Sequence, residues 1–72
     1  MKEKYKKLDQ KMAFLLMLSL KLEIKVTTLQ GYFTENGTIP PKHQELINRA
    51  IDLQLEADEK IREIENVVFE QL

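Results

Sequence analysis

Every residue that ordinarily interrupts a helix falls in one short window of this chain: Gly31, Gly37, Pro40 and Pro41. Glycine and proline are the residues that cost most inside a helix, so their placement sets the limits of what the backbone can do. From Met1 to Gln30 and from Lys42 to Leu72 nothing breaks the pattern. The placement predicts helix on both sides of one loop. A strand signal exists only at Ile24 to Leu29, which holds four β-branched residues in a run too short and unpaired to seed a sheet.

Within those limits the apolar residues assign faces. Tyr5, Leu8 and Met12 recur at three- and four-residue spacing and form one stripe on a lysine-rich segment. From Met12 to Leu22 the residues are apolar on nearly all sides, which predicts the most buried helix of the molecule. The two segments form either one long helix or two with a bend near Lys11 to Phe14. Asn36-Gly37 is expected to end the next element, because glycine reaches the left-handed conformation cheaply. Pro40-Pro41 then opens the last element, where a missing N–H costs nothing in the first turn. Residues 42–72 are expected to form one helix or a helix pair.

Size and composition narrow the function classes. Seventy-two residues allow one domain, of a size at which a fold is marginal unless it is stapled or oligomeric. With no cysteine, disulfides and thiolate metal sites are excluded. The longest apolar run, Met12 to Leu18, has seven residues, against the roughly 20 needed to cross a bilayer. No small-residue cleavage pattern follows it, so a soluble, cytoplasmic chain is expected. The net charge of −1 hides an asymmetry. Residues 1–43 carry eight lysines against four acids, a net +4, while residues 44–72 carry three bases against eight acids, a net −5. Such a split fits two solvated helix surfaces, or one face that meets an anion while another does something else.

The turn region is the most specific stretch. Two helices that cross steeply around a shared apolar plug need apolar residues at fixed positions and a small one where they approach. Counting from Leu15, Leu18 and Leu22 supply the first helix's inner face and Ser19 the small site. Ile24 closes the turn, and Leu29 and Tyr32 supply the second helix's inner face. Thr27-Thr28-Leu29-Gln30 has the form of a capping box, in which Thr27 would accept the Gln30 backbone N–H. A helix start is therefore expected within a residue or two of Thr27.

SLKLEIKVTTLQGYF, then TENGTIPP, then KHQELINRAIDL, spanning about Leu15 to Leu53, resembles the lambda-repressor-like helix-turn-helix domains, including the lac-repressor type. The resemblance implies an all-α domain of four to five helices over residues 1–72, with the helix-turn-helix at 15–34 and a long C-terminal helix. It also implies that the residues opening the second helix face bases and those around its ends hold phosphates of double-stranded DNA. Carried over, Lys25, Val26, Thr27, Thr28, Gln30 and Gly31 form the exposed reading set, with Gln30 suited to adenine. Lys21, Lys25 and Lys42 take phosphate positions, and Lys2, Lys4, Lys6, Lys7 and Lys11 add non-specific attraction. Glu23 stands where such domains usually have glycine in the turn, and no arginine occurs in residues 1–43.

The C-terminal segment carries a second signal. Taking Ile47 as a heptad a position places Ala50, Gln54, Ala57, Ile61, Ile64, Val68 and Gln71 at successive core positions. The strict 4-3-4 spacing from Ala57 to Val68 nominates Ala57, Ile61, Ile64 and Val68 for self-association, with Gln54 as a polar residue setting register. Other chemistry is sparse. His43 is the single histidine, which leaves no metal site, and no nucleophile has a base partner. The acids Asp58, Glu59, Glu63, Glu65 and Glu70 read as a solvated helix face. No cofactor and no enzymatic activity are expected. Two functions are therefore carried forward: a dimeric bacterial or phage DNA-binding transcriptional regulator, and a non-enzymatic protein-interaction module such as an anti-repressor or assembly subunit on the same scaffold.

Overall fold

A computed structural model describes all 72 residues. It contains four helices and no strand: α1 (Lys2–Lys6), α2 (Lys11–Leu22), α3 (Val26–Tyr32) and α4 (Pro41–Glu70). None of them is long and apolar enough to cross a membrane.

The break between α1 and α2 lies at Lys7 to Gln10, ahead of the expected position, and long-range contacts create it. Leu8 leaves the α1 helix to enter the core. The Asp9 backbone N–H then donates to Asp58 Oδ2 at 3.1 Å, and Lys11 Nζ donates to the Leu8 carbonyl at 3.0 Å. Asp58 is itself 4% exposed and accepts a second bond from Gln54 Nε2 at 2.9 Å. The expectation that Asp58 belongs to a solvated acidic face is therefore corrected. Its carboxylate serves as the bracket that ties the α1–α2 junction to the middle of α4. Gln54, expected to set register between copies, is engaged within its own chain.

The core consists of Leu8, Phe14, Leu15, Leu18, Leu29, Phe33, Ile39, Ile47 and Ile51. Tyr5 lies over Phe33 with ring centroids 4.0 Å apart and nearly parallel planes, which ties α1 to the end of α3. Burial raises the Tyr5 hydroxyl pKa above 10.0. The inner positions expected of the α2–turn–α3 unit are occupied as read: Leu15, Leu18 and Leu29 are buried, with Leu22, Ile24 and Tyr32 packed around them. Ser19 Oγ donates to the Ile24 carbonyl at 2.6 Å, satisfying a turn acceptor that no helix bond reaches.

Glu23 occupies the left-handed region at φ 56° and ψ 41° and is the one non-glycine residue with positive φ. Neither glycine has positive φ. The expectation that Gly37 closes a helix through a left-handed conformation is thus overturned, since α3 already ends at Tyr32. The pressure on residue 37 is steric, because a Cβ there would overlap the Gly31 carbonyl oxygen.

α2 is not buried on all sides. Phe14, Leu15 and Leu18 point inward, whereas Met12, Leu16, Met17 and Leu20 are exposed, Leu20 at 85%. A domain of this size has too few elements to cover both faces of a helix. The final element is one 30-residue helix, opened by Pro41 with Pro40 as its N-cap. From Glu59 to Leu72 every residue is exposed.

Candidate nucleic-acid interface

The short α3 presents one side to the core and one to solvent. Leu29 turns fully inward and Tyr32 partly so. Thr27, Thr28, Gln30 and Gly31 are exposed on the opposite side, and a Cβ added at Gly31 would meet nothing within 4 Å. Val26, expected in the same reading set, is half-buried and packs against the core. It sits one turn before Leu29, on the side of α3 that meets the core.

The capping box does not form. Lys25 is the N-cap of α3, with extended backbone at φ −61° and ψ 142°, and no side chain caps the helix. Thr27 is therefore the second helical residue, not the cap, and its hydroxyl is left on the surface. The expectation of a helix start within two residues of Thr27 agrees with the first helical residue, Val26.

Three exposed lysines lie at the ends of successive elements: Lys21 in the last turn of α2, Lys25 as the N-cap of α3 and Lys42 in the first turn of α4. None of the three takes part in an ion pair within the chain. Glu23 and Glu35 are the acids on the adjoining turns, and both are exposed.

Not all the N-terminal lysines are free, which corrects the expectation of five phosphate-attracting side chains. Lys2 Nζ donates to the carbonyls of Thr34 (2.8 Å), Glu35 (3.2 Å) and Gly37, holding the loop after α3. Lys4 pairs with Asp52 at 2.9 Å, and Lys11 is bonded to Leu8. Lys6 and Lys7 remain exposed and unpaired. His43 is half-buried, and no group of three or more metal-ligating side chains is present.

A second surface lies between α2 and α4. Met17, Leu18 and Lys21 face Leu46, Arg49, Ala50 and Leu53 of α4 across an open apolar groove of about 280 Å³. Its apolar floor was hidden in the sequence, because Leu46 and Ile47 are adjacent and either suits an inward position. The residues nominated for self-association, Ala57, Ile61, Ile64 and Val68, are all exposed on the same helix.

No protein-family model, curated protein or solved structure matches this chain.

Proposed function

We propose that this chain is a small sequence-specific double-stranded DNA-binding transcriptional regulator of the lambda-repressor-like helix-turn-helix kind, acting as a cytoplasmic dimer. One observation carries the reading. A helix with no charged residue of its own exposes Thr27, Thr28 and Gln30, and three lysines without ion pairs stand at the ends of successive elements: Lys21 of α2, Lys25 just before α3 and Lys42 of α4. That is the division of labour a duplex requires, with cations on the rim for phosphates and short polar side chains at the centre for base edges. Gln30 can present its amide to adenine N6 and N7, and Thr27 or Thr28 can pack a methyl group on thymine.

The electrostatics set a magnitude. Three lysines per copy correspond to a salt slope of roughly −2.7 in log K against log[salt], and roughly −5 for two copies on one site. Exposed Glu23 works against this, so base reading must contribute a large share of the affinity.

Selection from a randomised duplex library at two salt concentrations tests the reading. The wild type should enrich a palindromic motif, and a Lys25→Ala, Thr27→Ala, Gln30→Ala triple variant should not, because all three side chains are exposed and their loss leaves the core intact. No enrichment by the wild type, with weak salt-sensitive binding shared by both proteins, would overturn it. The competing reading, a protein-interaction module, is favoured by the exposed apolar half of α4, where Ile61, Ile64, Val67, Val68 and Phe69 are each more than half exposed. It predicts no duplex affinity and a stable protein complex.

A further inference from the structure

The heptad spacing nominates Ala57, Ile61, Ile64 and Val68, in a stripe that begins at Ile47, as the seam of the proposed dimer. The structure redraws that seam. Ile47 is wholly buried and Gln54 is held by Asp58, so the stripe that begins at Ile47 is not available to a partner along its first half. A different stripe is: Leu46, Ala50, Leu53, Ala57, Ile61, Ile64 and Val68, none of which is buried. Their steps are 4, 3, 4, 4, 3 and 4 residues, the same read from either end. At about 100° per residue they fall within an arc of roughly 80°. Leu46, Ala57 and Val68 are spaced at the 11-residue interval that keeps a seam nearly straight along a helix.

We infer that two copies of this chain pair antiparallel along α4, about a two-fold axis at Ala57. A palindromic stripe is what a two-fold axis across a helix pair demands, since each residue must meet its mirror position on the other copy. Ala57 meets the partner's Ala57, where a small side chain allows the helices to approach. Leu53 meets the partner's Ile61, Ala50 meets the partner's Ile64, and Leu46 meets the partner's Val68. Each exposed C-terminal half thereby lies in the other copy's groove, over Leu46, Ala50 and Leu53 and against Met17.

Charge favours the same register. Arg49, Glu56, Lys60 and Glu63 are exposed along the flank of this stripe that faces away from the core, and none has an ion-pair partner in its own chain. In an antiparallel pair like flanks meet. Arg49 then faces the partner's Glu63, and Glu56 faces the partner's Lys60, each twice by symmetry. A parallel seam would bring unlike flanks together and pair neither Arg49 with Glu63 nor Glu56 with Lys60.

The inference rests on the dimeric part of the proposed function and not on its DNA part, and the test contains no DNA. The chain has no cysteine, so introduced ones report on register alone. Ala57→Cys should form a disulfide-linked dimer on air oxidation, and so should the double variant Ala50→Cys, Ile64→Cys. Ile64→Cys alone should not, because its opposite residue is Ala50; within one chain residues 50 and 64 are about 21 Å apart, beyond disulfide reach. Sedimentation equilibrium of the uncrosslinked chain should show a dimer. Arg49→Glu and Glu63→Arg should each weaken it, and the two together should restore it. Ala57→Glu, at an exposed helical site that accepts glutamate, should weaken it at least 100-fold by setting like charges face to face. Efficient cross-linking by Ile64→Cys alone would keep a dimer and overturn this seam. A wild-type monomer at all accessible concentrations would overturn the seam and the dimer together.

Discussion

The two glycines of this chain offer a matched pair of alanine substitutions with opposite expected signs. Gly31 lies in the last turn of α3 with ordinary helical backbone, and a methyl group built on it has no heavy atom within 4 Å. Replacing it with alanine removes backbone freedom from the unfolded chain and creates no contact in the folded one. The expected gain is about 0.5–1 kcal/mol. For a domain of this size that corresponds to a rise in Tm of roughly 2–8 °C. Gly37 also has negative φ, yet its Cβ would overlap the Gly31 carbonyl oxygen and sit 2.8 Å from Thr34 Oγ1. Neither neighbour can yield cheaply. The carbonyl already accepts from Thr34, and the Gly37 carbonyl is one of the three held by Lys2. Gly37→Ala should therefore cost about 1–3 kcal/mol, the usual range for overpacking that shifts backbone. Thermal unfolding followed by circular dichroism, at one fixed protein concentration so that the comparison is independent of any self-association, measures both. The reasoning fails if Gly31→Ala lowers Tm, or if Gly37→Ala leaves it unchanged. Equal effects of the two variants would mean that conformational freedom, not the close approach at residue 37, governs both sites.

Three further outcomes follow from other parts of the fold. Glu23→Gly should stabilise the chain by up to about 1 kcal/mol, because the left-handed turn then carries no Cβ penalty, whereas Glu23→Val should destabilise it; urea midpoints distinguish them. Asp58→Ala should cost about 1–3 kcal/mol by leaving the Asp9 N–H and the Gln54 amide without their acceptor, and amide exchange at Asp9 should accelerate. Tyr5 titrates above its unfolded value because burial disfavours the phenolate, so its contribution to stability is complete below pH 10 and is lost as the pH climbs through the raised folded value. Alkaline unfolding should accordingly be delayed in Tyr5→Phe, and phenolate absorbance in a Tyr32→Phe background reads the Tyr5 titration directly.

Much of the architecture was legible without coordinates. The crowding of Gly31, Gly37, Pro40 and Pro41 into one window leaves helix as the state on either side, and Pro40-Pro41 marks the start of α4 to within a residue. The inner positions of the α2–turn–α3 unit and the small site at Ser19 follow from local spacing, and the resemblance singles out Glu23. Local rules suffice there because each partner lies within a few residues along the chain. The candidate site was legible to the same extent: Thr27, Thr28, Gln30, Lys21, Lys25 and Lys42 are exposed as read, while Val26 went inward and the capping box did not form.

What only the tertiary structure decided are the choices that periodicity leaves degenerate. Met12 to Leu22 is apolar on nearly all sides, so no stripe states which residues face in; packing against α3 and α4 selected Phe14, Leu15 and Leu18. In α4 the adjacent Leu46 and Ile47 fit an inward position equally, and the core took Ile47, which turned Leu46, Ala50 and Leu53 into the floor of a groove. The α1–α2 junction and the buried Asp58 are joined by a hydrogen bond between residues 49 positions apart. Side-chain periodicity records which residues share a face, but a contact between distant segments exists only once the chain has folded them together.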